Sequence, residues 1–502
     1  MTRAFRPPFA AFLALAPLPV AALTPDEAWQ AMQDAAGEGV TITAASESSA
    51  GGTLTVEGIE IRFEDSSTED VTTTTVALVD RMTFSDAGGG AVGIGLPEGI
   101  PVTVTTTTPD GDGGVSFDVT QTGLALTASG TPDAIAYDYA AATLSLVLGE
   151  IVSPPPEDGE EAQEFDLTGE MTLTAVSGQT TGEEGAGSFA ADLLSLDVSG
   201  SEPGTPGSFA LTASAENVTS DSTGGVGIFA GPEAMVALLE SDETLTSSLG
   251  YGPFTYEITV EDPESGDMRI TGGADRSGVT ATLGDGGIDY TGGTEGGRFA
   301  LSGSAIPLPE VTAEMERSEW AFRMPLAETE AAQPFGLTLG FDGLTIGEGV
   351  WSMFDPAGQL SRDPASLKLA LSGLGRWDVN IFAPDADAQI AGGTPGEVES
   401  LSIDEIALDL LGVVLDGSGA FTFATGADGV PVPEGSISLT LTGAEDLIDT
   451  LVQMGVVPED QATGARMMLG LFATPGDEPD TLTSDIEFGA DGSITANGQR
   501  LR

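Results

Sequence analysis

The chain has 502 residues, with 79 acidic against 15 basic ones, a formal net charge of −64, and neither histidine nor cysteine. Such a surface repels phosphate backbones and anionic headgroups, which excludes nucleic acid as a partner. Without thiols there are no disulfides, thiol nucleophiles or iron–sulfur ligands. Without imidazole the usual general base and the commonest zinc or copper ligand are missing, so only carboxylate chemistry or oxygen-ligated metals remain. Hydrophobic residues make up 40% of the chain, enough for packed structure rather than disorder.

In chain order, Arg3 and Arg6 form a basic start, Phe9 to Val20 an apolar stretch, and Val20-Ala21-Ala22 a small-residue cleavage site. This reads as a signal peptide over residues 1–22, cut after Ala22. It implies export to the periplasm and a mature chain without a transmembrane span. Thr24-Pro25-Asp26-Glu27 is a capping box that opens a helix, with Trp29 and Met32 on one face and Gly37 at its end. From Val40 the period becomes two. Leu54 and Val56 alternate with polar residues, then Ile59, Ile61 and Phe63 continue on the opposite parity across Gly58. Val115, Phe117 and Val119 hand over to Leu124 and Leu126 in the same way across Gly123. Each switch reads as a bulge or bend. Val76, Leu78, Met82 and Phe84 read as one alternating run, and Thr103, Thr105 and Thr107 as another strand.

Short strands at roughly ten-residue intervals, divided by Gly/Asp/Ser turns, point to a long antiparallel meander. Ser153 to Glu161, with three prolines and then acids, is a linker or an exposed loop. Pro232 to Glu240 reads as a short helix with Met235, Leu238 and Leu239 on its apolar side. Near the C-terminus, a strand through Ile437, Leu439 and Leu441 precedes two helices. Leu447, Ile448, Leu451 and Val452 form the stripe of the first, and Ala465, Met468, Leu469 and Phe472 that of the second; strands through Leu482 to Phe488 and at Ile494 follow. The expected fold is mainly β: long, strongly curved antiparallel sheets with a few short helices and a C-terminal helical hairpin packed on a sheet. The expected regions are 23–152 (helix plus meander), 153–161 (linker or loop), 162–340 (central β-rich) and 341–502 (β-rich with the hairpin).

No residue pattern specifies catalysis. Asp110 to Gly114 and Gly284 to Gly287 resemble fragments of calcium loops, but Asp-Gly is also the strongest hairpin signal. Ser366 stands two residues before Lys368, the only lysine, a spacing any strand supplies. Carboxylate pairs are too abundant to be specific, and Asn217-Val218-Thr219 is a chance sequon. The least generic stretch runs from Trp351 to Leu371. There Trp351, Asp355, Arg362 and Asp363 mark either a structural loop, locked by an arginine–carboxylate pair over the tryptophan, or a partner-binding patch. No cofactor and no metal is implied.

That segment, together with Gly464 to Gly470 and Ala496-Asn497-Gly498-Gln499, resembles an uncharacterised family of exported alphaproteobacterial proteins, a domain of unknown function. A wider likeness is to AsmA-like envelope proteins. This resemblance implies a long sheet curled into a groove with an apolar inside; it carries no catalytic residues. AsmA-like proteins usually keep an N-terminal anchor, from which the cleavage site at Ala22 departs.

The functional expectation is an exported, non-enzymatic, β-rich periplasmic protein that holds lipid or another apolar ligand, its partner being lipid or another envelope protein. A surface or structural adhesin-like protein is the alternative, and a carboxylate-based hydrolase the third reading. Alternating strands leave one apolar face, which must meet helices, a second sheet or a ligand. Sheet-on-sheet packing is the plainer expectation.

Overall fold

The computed structural model describes residues 22–36, 39–65, 71–109, 111–152, 166–181, 186–201, 207–224, 237–239, 241, 243–284, 286–306, 308, 310–381, 383, 386–391, 396–425 and 431–502. All 26 strands among them join one sheet, and every strand pair is antiparallel. The order is a meander from Val40–Ala50 at one edge to Thr481–Phe488 and two very short strands at the other. Four of its rows are interrupted midway. Ala91–Gly95 and Gly99–Thr108, for example, together run beside the single strand Thr72–Gly88. Leu245–Tyr251 and Phe254–Glu261 do the same beside Ser208–Thr223. No second sheet packs on the first among the described residues, so the expectation of sheet-on-sheet packing fails.

Side chains alternate across a strand, so a strand that is apolar at every second position makes a sheet with two chemically different faces. Register carries this pattern from strand to strand. Leu173 pairs with Leu144 and Leu194, Leu339 with Trp320 and Leu369, and Leu441 with Leu415 and Leu482. The opposite face holds hydroxyls and ion pairs. Ser145 bonds Thr172 at 2.7 Å, Arg269 meets Glu257 at 2.7 Å, Arg317 meets Asp342 at 2.8 Å, and Lys368 lies 3.3 Å from Glu405.

The parity switches at Gly58 and Gly123 are two points on a line that crosses much of the sheet. Gly58, Gly123, Ala175, Asn217, Gly296 and Gly343 all take left-handed backbone, with φ between 51° and 68°. Pairing resumes in the same register across each kink with the strand before it (Ser46 with Glu57 and Ala44 with Ile59, for instance) or, at Gly123, with the strand after it; only at Gly343 does the pairing with the following strand shift, between Phe341 and Leu344. The kinks are thus aligned and the sheet creases along them. Tyr251 and Phe254, on either side of the break in their row, come to 5.6 Å and both pack on the buried cluster of the apolar face. The crease also corrects the reading of Val76 to Phe84 as one alternating run. The kink opposite Gly58 puts Met82 and Phe84 in the core but leaves Leu78 48% exposed.

The helix Pro25–Asp34 starts at Thr24, whose side chain and Glu27 cap each other. It lays Trp29 on Phe84 at 5.8 Å, and the Trp29 Nε1–H donates to Glu47 at 2.9 Å. With Leu54, Val56, Ile59, Met82, Val92 and Ile94 it builds the largest buried cluster, a plug at one end of the apolar face. The segment 153–161 and the helix start at 232–236 lie outside the described residues. The strands flanking 153–161, Ala134–Val152 and Asp166–Thr180, pair directly, and the boundary placed at 340/341 falls inside the strand Gln333–Ile346. Residues 237–239 are helical, with Leu238 and Leu239 buried against Leu245, Leu283 and Leu326. The C-terminal helices are Ala444–Gln453 and Glu459–Phe472, joined to each other by Arg466, which pairs with Glu445 at 2.9 Å and with Asp449.

Candidate functional site: an open apolar trough

At the bottom of the crease the apolar face carries small residues. Ala141, Val176, Ala191, Ala215 and Val218 are buried there, with Leu144, Leu173, Leu194, Tyr139 and Phe189 packed around them. Burial pushes the Tyr137 and Tyr139 phenols above their ordinary pKa. Up the walls the covering stops. Phe209, Leu249, Tyr290, Phe299, Trp320, Phe322, Leu339 and Val398 all belong to the apolar face, yet remain 37–45% exposed. Monomeric surfaces seldom leave so many large apolar side chains contiguous, and where they do the patch is usually a binding site.

Aromatic rings on this face lie down over glycines of the neighbouring strand. Gly292 is paired with Trp320, and a Cβ on the glycine would stand 2.5 Å from the indole ring. Gly272 sits between Tyr256 and Phe299, with the same 2.5 Å approach to the tyrosine ring. Gly178 lies between Tyr139 and Phe189, and Gly373 faces Phe335, again with no room for a Cβ. A ring flat against the sheet covers exposed backbone and leaves the space above it clear. Glycine here serves close approach, so the trough stays shallow and wide instead of filling with its own side chains.

Besides a cavity of about 630 Å³ that runs past Tyr256, Gly272 and Phe299, two others have mainly apolar walls. One, of about 440 Å³, is walled by Phe322, Met324, Phe335, Leu337, Leu371 and Trp377, with Trp377 fixed by its Nε1–H to the Pro325 carbonyl at 2.7 Å. Its charged rim is Arg323, Arg376 and Glu397, with both arginines already neutralised. Arg323 binds Asp289 bidentately, and Arg376 meets Asp378 and Glu397. These contacts hold both guanidiniums further above their already high pKa. The other cavity, of about 540 Å³, separates the C-terminal helical hairpin from the sheet, between Ala465, Leu469 and Phe472 above and Leu415, Leu439 and Leu482 below. The hairpin therefore roofs the sheet without filling the space, and Met467, Met468 and Leu471 stay about half or more exposed.

The Trp351–Asp363 segment forms a self-bonded corner. Trp351 is buried in the short helix Glu348–Phe354, with the Arg362 guanidinium 5.5 Å over its ring. Asp355 is fully buried and accepts the Gln359 and Leu360 N–H groups at 2.9 and 3.0 Å; these bonds, aided by Arg362, hold its carboxyl below the ordinary aspartate pKa. Arg362 donates to the Asp355 carbonyl at 3.1 Å and pairs with Glu348, while Asp363 accepts from Ser361 at 2.7 Å. Both carboxylate oxygens of Asp355 are thus taken up by backbone N–H groups of the loop itself. Ala22, the expected cleavage residue, is exposed immediately before the helix plug.

The remaining motifs fall on ordinary structure. Asp110 and Asp285 lie outside the described residues; the residues flanking them pair, Thr108 with Gly111 and Gly284 with Gly287. Lys368 sits between Glu319 and Glu405, which raise its pKa and keep it charged, and so unsuited to act as a base toward Ser366. Asn217 is a crease position, where asparagine tolerates left-handed backbone. Of the trough's residues, Leu439, Leu482, Ala465, Leu469 and Phe472 are read in the sequence as strand and helix stripes, whereas the wall from Phe209 to Val398 and its ring-bearing glycines are not. Their signal was present in the Gly-aromatic spacing, but pairing in space was needed to recognise it.

Residues 294–501 match a family described as an uncharacterized protein conserved in bacteria (DUF2125). The matched part begins inside the strand Gly287–Ser302 and takes in the 440 Å³ cavity, the Trp351–Asp363 corner and the helical hairpin. No curated protein and no solved structure matches the chain. Among the described residues, no helix is long and apolar enough to cross a membrane.

Proposed function

We propose that this protein is an exported, periplasmic, non-enzymatic carrier that lays the aliphatic chains of a lipid along the apolar trough, in the manner expected of an AsmA-like envelope protein. The observation that carries the reading is the uncovered row of large side chains from Phe209 to Val398 on one face of a single sheet. A sheet face presents side chains only, because its backbone donors and acceptors are spent in the plane of the sheet. The 440 Å³ cavity has apolar walls and offers no free cation at its rim. Such a surface recognises a ligand through methylene groups, at about 25 cal/mol per Å² of apolar area covered. Its volume lies within the ordinary range of small-molecule pockets, about 300–1,000 Å³.

The test is native mass spectrometry with solvent extraction of the full chain purified from the periplasm. Lipid at near-stoichiometric amount is expected, and Leu339→Glu should reduce it at least severalfold. Thr338→Glu, one residue away on the polar face, should leave it unchanged. A clean unliganded mass for the wild-type chain would overturn the reading.

A further inference from the structure

The two ends of the sheet are finished differently. At the far edge the strands shorten to Ile494–Ala496 and Gln499–Arg500, which leaves little backbone to pair with. At the near edge stands Val40–Ala50, eleven residues long and, among the described residues, bonded on one side only, to Thr53–Asp65. It contains no proline and no lysine, the usual devices that discourage edge pairing; its one charge, Glu47, is held by Trp29.

Backbone phase says which groups are free. The Glu64 N–H donates to the Gly39 carbonyl at 3.1 Å, so positions 39, 41 and 43 face the neighbouring strand. By antiparallel alternation, Val40, Ile42 and Ala44 point their N–H and C=O groups outward. No described residue bonds to them there. The five residues Val40-Thr41-Ile42-Thr43-Ala44 are uncharged and self-complementary about Ile42. In an antiparallel two-fold pair, Ile42 faces its own copy, Val40 faces Ala44 and Thr41 faces Thr43. All the apolar members then fall on one side.

We propose that two copies of this chain pair edge to edge through Val40–Ala44, about a two-fold axis at Ile42. An axis normal to the sheet keeps both apolar faces on the same side, so the contact would join two troughs into one surface. The net charge of −64 opposes association at low salt, but the contact itself is neutral. Screening over about 8 Å at 0.15 M salt removes most of the repulsion between distant acids. Dimerisation should therefore strengthen with salt, the reverse of an ion-pair interface.

Sedimentation velocity of the full exported chain tests this, over rising concentration at 0.05 and 0.5 M NaCl. The dimer fraction should rise with both. Ala44→Pro removes an outward N–H without touching a bond to Thr53–Asp65 and should shift the dimer constant at least tenfold. The exposed pair Thr41→Lys with Thr43→Lys should do the same, although it lowers the net charge. Since the chain has no cysteine, Ile42→Cys offers an independent reading. Paired Cα atoms about 5.5 Å apart suit a disulfide, so oxidation should yield a covalent dimer, while Ser48→Cys should not. A monomer at every concentration in 0.5 M salt, or a dimer indifferent to these substitutions, would overturn the proposal. Lipid content is read separately and decides nothing here.

Discussion

The crease makes a sharp prediction at Gly343. This residue has φ of 68°, and a Cβ there would collide with the Glu316 side chain across the strand pair. Placing an L-residue in left-handed backbone costs about 1–2 kcal/mol. Moving Glu316 to another rotamer adds about 0.5–1.5 kcal/mol. Replacing glycine recovers about 0.4–1 kcal/mol by restricting the unfolded chain. Gly343→Ala should therefore destabilise by about 0.5–3 kcal/mol. Gly340→Ala, three residues away, has no positive φ, and the nearest side-chain contact is 3.3 Å from the flexible Glu319; it should be neutral or slightly stabilising. Urea unfolding followed by tryptophan fluorescence reads this half of the sheet, since Trp320, Trp351 and Trp377 all lie in it. Ala175→Gly, at a crease position that already strains an alanine at φ of 51°, relieves about 1–2 kcal/mol of strain against about 0.4–1 kcal/mol for the freer unfolded chain, and should move stability the other way or leave it unchanged. Equal midpoints for Gly343→Ala and Gly340→Ala would refute the claim that the crease depends on left-handed backbone.

Gly292→Ala should lift the Trp320 ring off the sheet, costing about 1–3 kcal/mol by overpacking and lowering co-purified lipid; unchanged lipid and stability would refute the flat-ring account. Trp29→Ala should open the helix plug and cost about 3–5 kcal/mol, seen as faster amide exchange in Leu54–Met82, while exchange around Leu439 stays as before. The Asp355 carboxyl is depressed in the folded state, so its contribution is complete above the unfolded value near pH 4 and disappears as pH falls through the lower folded value. The stability advantage of the wild type over Asp355→Asn should thus be present at pH 7 and shrink below about pH 4, by urea midpoints at each pH. An advantage that grows on acidification would reverse the sign and the assignment.

Much of this architecture is legible in one dimension. Alternation around Leu54–Val56 and Val115–Val119, Asp-Gly turns, and the helical stripes near 447 and 465 are local signals, and all fell where strands, hairpins and helices formed. Gly58 and Gly123 were readable as bends because glycine accepts left-handed backbone without strain. Ala175 and Asn217 gave no comparable signal, and the run from Val76 to Phe84 was misread because Asp80 at the kink looks like any polar strand residue.

By itself, then, the sequence determined a β-rich meander with one apolar face, since a period of two fixes which side each residue takes. Whether that face would be closed by a second sheet, and whether isolated bends would align into one crease, depended on strand register. So did the laying of Trp320 on Gly292 and of Tyr256 on Gly272. Register arises from pairing between strands that are distant along the chain, and burial follows only once those pairs exist. Only the tertiary structure could decide that no second sheet closes the apolar face among the described residues.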